Sequence, residues 1–168
     1  LWLGTWGAGL IKYNKKSNKY QQYLKNEDEN SINENIILSI AKDSKNNLWI
    51  GTYGSGLNYF NSETEEFKTF GFEGKNKQQT NNKKIRSIYI ARNNDLWIGT
   101  DGGLSHFNPE TNKYTHILHD SSNESLMNNS IVRALHQSKD RNIWIGTKFN
   151  GLYRYNPDSK SWKHYPAE

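Results

Sequence analysis

The side chains of this sequence that could bind a ligand recur at fixed places. Trp6, Tyr53, Asp101 and Lys148 with Phe149 each follow a Gly-Thr pair at equivalent positions, and Arg86 and Arg133 stand at equivalent positions in another recurring segment. Aromatic faces stack on sugar rings or on a partner's side chains, and guanidinium groups take carboxylate or sulfate through paired hydrogen bonds. The chemistry they suggest is recognition; the alternative is that they shield the edges of their own turns. Catalysis would need carboxylates, or a nucleophile and its base, converging from distinct elements. No motif singles out such a set, so no catalytic residue is assigned and the chain is read as non-enzymatic.

Other chemistries are weaker. His116 and His119 form an H-x-x-H pair, but three residues along a strand put them on opposite faces, so a shared metal is not expected. His106 aligns with Lys12, Tyr59 and Arg154 and reads as a solvated strand position. His136 and His164 have no companion ligands at a recognisable spacing. The absence of Cys removes disulfides, thiolate metal sites and a cysteine nucleophile. No metal and no cofactor is expected. Asn123-Glu124-Ser125 and Asn128-Asn129-Ser130 match glycosylation acceptors, a frequent chance event in an Asn-rich chain. The net charge of +5 is spread among Asn and Gln, which describes a solubilising surface and no nucleic-acid groove. No run approaches transmembrane length.

The elements that carry these residues are repeats. LWLGTWGAGL from Leu1, LWIGTYGSGL from Leu48, LWIGTDGGL from Leu96 and IWIGTKFNGL from Ile143 place tryptophans at 2, 49, 97 and 144, spaced by 47, 48 and 47 residues. Such a period belongs to repeat architectures. Each module holds four short β-favouring segments. The first is Ile37–Ile40, matched by Ile85–Ile88 and Val132–Leu135. The second is the Leu-Trp-Ile-Gly-Thr unit, whose alternation turns Leu48, Ile50 and Thr52 one way and Trp49 and Gly51 the other. Trp2, Trp49, Trp97 and Trp144 read as packing between neighbouring modules, and Gly51, Gly99 and Gly146 as room for a neighbouring layer. The third follows a tight Gly-rich turn and ends in Asn14, Asn61, Asn108 or Asn156, residues suited to hydrogen-bond forward into a turn. The fourth is a short aromatic strand. The polar connections back to the first strand differ most: one carries Glu27, Asp28, Glu29 and Glu34, the next Lys75, Lys77, Lys83 and Lys84.

Four-stranded antiparallel modules with this period predict an all-β fold, a β-propeller, because each blade buries its faces against its neighbours. The expected blades are 1–23, holding strands two to four, then 36–70, 84–117 and 131–165. The chain reads as a partial propeller of about four blades. Open blade faces would be apolar and are expected to drive self-association or a homodimer.

The pattern I-x-S-I-x-x-D-x-x-x-N-L-W-I-G-T-x-x-x-G-L-x-x-F-N, nearly whole from Ile37 to Asn61, resembles the two-component regulator propeller repeat. It departs where Asp43 becomes Ala91 and Ser138, and where Asp101-Gly102-Gly103 is one residue short, changes that turns absorb. The resemblance implies a seven-bladed ring, often one of two in tandem, in the extracytoplasmic, periplasmic or cell-surface sensor region of bacterial histidine kinases and related receptors. It implies an immunoglobulin-like domain, a membrane span and a signalling enzyme further along, with the membrane reached only through that parent receptor. It also implies a glycan-type ligand, hence an oligosaccharide or other polar partner. The readings set against it are a propeller lyase or hydrolase acting on polysaccharide and a protein-interaction scaffold.

Overall fold

The computed structural model describes residues 1–70, 82–117 and 130–167. His119, Lys75, Lys77, Asn123-Glu124-Ser125, Asn128 and Asn129 lie outside them. The described residues form strands and turns with no helix among them, in four successive antiparallel sheets. The first pairs β1 (Trp2–Gly4), β2 (Leu10–Asn14) and β3 (Lys19–Tyr23). The second runs β4 (Ile37–Lys42), β5 (Leu48–Thr52), β6 (Leu57–Phe60), β7 (Phe67–Phe70), and the third β8 (Ile85–Ile90), β9 (Leu96–Thr100), β10 (Gly103–Asn108), β11 (Lys113–Ile117). The fourth is β12 (Val132–Gln137), β13 (Ile143–Thr147), β14 (Leu152–Asn156) and β15 (Ser161–Tyr165). Every sheet is a meander in chain order. The all-β propeller expected from the repeat is the fold observed, with β8 packed between β4 and β12 and β1 against β4.

The alternation in β5 feeds two cores. Leu48 and Ile50 join Leu10, Ile37, Phe60 and Phe67 in the cluster between the first and second blades. Trp49, on the opposite face, joins Leu57, Ile85, Leu96, Ile98, Phe107 and Tyr114 between the second and third. A third cluster, with Trp97, Leu104, Val132, Ile145 and Tyr153, lies between the third and fourth. In each interface the tryptophan meets an aromatic of the following blade: Trp2 and Phe60 at 5.2 Å, Trp49 and Phe107 at 6.0 Å, Trp97 and Tyr155 at 5.9 Å between ring centroids. Trp144 is half-buried and stacks on Tyr165 of its own blade at 5.7 Å.

The glycine two residues on completes each interface. A Cβ on Gly51 would sit 2.5 Å from Cγ2 of Ile85, and one on Gly99 would sit 2.9 Å from Cβ of Val132, so the first residue of the next inner strand occupies the space that a side chain would need. The Thr that ends the motif closes the turn: Thr5, Thr52 and Thr147 each donate from Oγ1 to the carbonyl of the turn's last Gly, at 2.8 to 2.9 Å. The Asn that ends each third strand accepts forward amides at Oδ1, as Asn61 does from Glu63 and Thr64 at 2.9 and 3.3 Å. Each of these turns contains one residue at φ between 53° and 59°, namely Asn18, Glu65, Asn112 and Lys160.

Candidate ligand-binding rim

The residues singled out by sequence sit at one end of the blades, and a repeated irregularity brings them there. The first strand of every complete blade slips register once against the second, between Ile37 and Ser39, Ile85 and Ser87, and Val132 and Ala134. The bulged residues are therefore Leu38, Arg86 and Arg133. A bulge re-aims the extra side chain and commonly lies beside a functional site. The backbone amide of the turn residue is tied to the same end of its blade: Tyr53 donates to the carbonyl of Ile36, Asp101 to Lys84 and Lys148 to Ile131, at 3.0, 3.3 and 2.9 Å. Bulge residue and turn residue are thus held side by side in each blade.

In the third blade they form an ion pair. Arg86 donates through Nε and Nη2 to the two carboxylate oxygens of Asp101, at 2.6 and 2.9 Å, and only about 15% of each side chain is exposed (15% and 16%). These hydrogen bonds hold the Asp101 carboxyl below its ordinary range against an opposing push from burial, and the charges of Arg86, Lys84 and Arg133 act in the same direction as the bonds. The same bonds push the Arg86 guanidinium up. Lys84 lies 3.8 Å from Asp101 Oδ2 and 4.5 Å above the ring of Tyr53. Tyr53 meets Trp6 edge to face at 5.4 Å, and Trp6 is 70% exposed. One continuous chain, Trp6–Tyr53–Lys84–Asp101–Arg86, therefore crosses three blades.

The remaining candidates are placed apart from that chain. Arg133 is exposed and reaches Asp101 only through its field. Lys148 covers Phe149 at 4.5 Å, and Phe149 is 71% exposed. Of the charged runs, Glu34 turns its carboxylate to its own loop, accepting the amides of Asn35 and Ile36 at 3.0 and 3.4 Å.

A pH dependence follows from the ion pair. Because the folded-state pKa of Asp101 is depressed, its contribution is complete above the unfolded carboxyl value of about 3.9 and is lost as pH falls through the folded value. Asp101→Asn is therefore expected to destabilise most at neutral pH, with its difference from wild type shrinking as urea unfolding is repeated at progressively more acid pH. A difference that stays constant down to pH ~2 would show that the ionised pair contributes nothing.

At the opposite end of the blades the structure contains a site that the sequence reading missed. His106 is not a solvated position: its Nε2 lies 2.9 Å from Asp95 Oδ2, its ring lies 4.8 Å from that of Trp97, and 28% of the side chain is exposed. The cause lies one residue after the third strand. In the second blade Asn47 Oδ1 accepts the amide of Ser62 at 3.0 Å, but Pro109 and Pro157 stand there in the next two blades and have no N–H. In the third blade Asp95 replaces Asn47 and draws donors from Asn108 and Asn93, both at 2.8 Å, besides His106. In the fourth, Asn142 Oδ1 is buried with no partner among the described residues. The signal available in the sequence was Asp95, which stands where the second and fourth blades have Asn47 and Asn142, in the blade that carries His106. With both carboxylate oxygens engaged, Asp95 ties the ends of its strands together.

The fold defines a class, the β-propeller built of repeated four-stranded blades. The chain is similar to the two component regulator propeller family, whose model matches residues 31–54, 79–102 and 125–149. No curated protein matches the chain. Among solved structures, the extracellular domain described as that of a hybrid two-component system, BT3049 from B. thetaiotaomicron, is 27% identical over 96% of this chain with a TM-score of 0.79. The corresponding domain of BT4673, from the same organism and described in the same way, is 25% identical over 99% of this chain with a TM-score of 0.78. This chain spans 21% of the length of each. Virginiamycin B lyase from Staphylococcus aureus, 13% identical over 95% of this chain and 49% of its own with a TM-score of 0.64, shares the fold.

Proposed function

We propose that this chain is part of the ligand-sensing propeller of an extracytoplasmic receptor region in a bacterial two-component system, non-catalytic in itself, and that its rim contacts a glycan-type ligand. The observation that carries the site is the Trp6–Tyr53 pair, exposed aromatic surface held against Lys84 and the Arg86–Asp101 pair across three blades. Aromatic faces supply stacking for sugar rings, and the half-buried ion pair fixes the surface beside them without needing the ligand to order it. Support for the receptor setting comes from the repeat family and from the extracellular domains of the B. thetaiotaomicron proteins.

The test is oligosaccharide binding by the 168-residue chain, screened on an immobilised glycan panel and then measured by calorimetry. Trp6→Ala combined with Tyr53→Ala is expected to weaken binding about tenfold, two aromatic contacts at about 0.5 to 1.5 kcal/mol each, with little change in thermal unfolding. Unchanged affinity in the double variant would overturn the rim as the ligand surface.

A further inference from the structure

Comparison of the third and fourth blades exposes a position that is filled in one and open in the other. Both have an arginine at the bulge of the first strand, Arg86 and Arg133, and in both the amide of the neighbouring turn residue is tied to the carbonyl that precedes that strand. In the third blade the turn residue is Asp101, whose carboxylate takes the guanidinium of Arg86 in two hydrogen bonds. In the fourth blade it is Lys148. Where the third blade has a carboxylate beside its bulge arginine, the fourth therefore has a second cation. Arg133 and Lys148 are both exposed, and Lys148 has its ammonium against the ring of Phe149. Phe149 itself stands where the first and second blades have Gly7 and Gly54, so an exposed aromatic face has been added beside Lys148.

We propose that Arg133 and Lys148 bind an external carboxylate or sulfate in the place that Asp101 fills in the blade before, with Phe149 stacking on the sugar that bears it, so that the ligand is an acidic oligosaccharide. This rests on the glycan reading above and adds the charge of the ligand. Guanidinium and ammonium on one oxyanion give charge-assisted hydrogen bonds from two directions, and Arg supplies the bidentate geometry already displayed by Arg86. The nearest fixed anion, Asp101, acts on Arg133 only at a distance and is itself neutralised by Arg86.

The experiment measures binding of an oligogalacturonate, of its carboxyl-reduced neutral counterpart and of inorganic sulfate to the full chain by calorimetry at low salt. The acidic oligosaccharide is expected to bind at least about tenfold more tightly than the neutral one, and sulfate to compete with it. Arg133→Gln and Lys148→Asp should each remove that advantage. Lys148→Asp supplies the internal carboxylate that the third blade has, so it should close the site while unfolding at a temperature no lower than wild type, which separates loss of binding from loss of fold. Equal binding of acidic and neutral sugars, or a preference untouched by both substitutions, would overturn the proposal and leave the glycan reading standing. Sulfate binding that Lys148→Asp abolishes, with no oligosaccharide bound, would support the anion site and remove the glycan reading. Absence of binding by all three would overturn the site.

Discussion

Trp49→Ala is expected to lower the unfolding free energy by about 3 to 5 kcal/mol, the range of buried aromatic truncations. Trp49 is 5% exposed and meets three rings, those of Tyr59 at 4.7 Å, Phe70 at 5.2 Å and, across the blade boundary, Phe107 at 6.0 Å. Its removal opens a cavity bounded by two different sheets, and neither can close it without leaving its own core. The same truncation at Trp144, half-buried against Tyr165, should cost much less. Urea unfolding of both variants gives the comparison, and equal losses would show that the packing between blades adds nothing to that within one.

The second large effect separates two glycines that look identical in sequence. Gly51→Ala would place a methyl 2.5 Å from Cγ2 and 2.8 Å from Cβ of Ile85, atoms fixed by the backbone of β8, so the second and third blades must move apart. Overpacking of this kind costs about 1 to 3 kcal/mol. Gly146→Ala meets Cβ and the carbonyl oxygen of Ala134 at 3.4 and 3.9 Å, ordinary contact distances, and should be close to neutral, since Ala loses less chain entropy on folding. Thermal unfolding of the two single variants checks the contrast; comparable destabilisation would mean that the glycines serve strand geometry and not blade spacing.

The propeller was legible because period and alternation are one-dimensional properties. The spacing of the tryptophans marks the blade, and the opposed faces of Leu48-Trp49-Ile50-Gly51-Thr52 already say that one strand serves two interfaces. The forward hydrogen bonds of Asn14, Asn61, Asn108 and Asn156 followed from side-chain chemistry alone. At the rim, the sequence could align Tyr53, Asp101 and Lys148 but could not show which partners they would take. Asp101 is spent on Arg86 because a register slip turns Arg86 toward it, and no residue type announces a bulge in advance. The His106–Asp95 pair was hidden for a related reason: its two members are eleven positions apart and meet only through the register of β9 on β10, which pairs Trp97 with His106.

The glycine-to-branched-residue seams have a consequence for how energies combine. Gly4 receives Ile37, Gly51 receives Ile85 and Gly99 receives Val132, and each seam joins consecutive blades. Stability in such an array is a sum of blade terms and nearest-neighbour terms. Perturbations at the Gly4–Ile37 and Gly99–Val132 seams share no contacting residue and should add to within about 0.5 kcal/mol, whereas Trp49 and Ile85, members of one seam, should couple. The chain therefore behaves energetically as a string of separable joints, and a rim residue can be replaced in one blade without retuning the joints of the others.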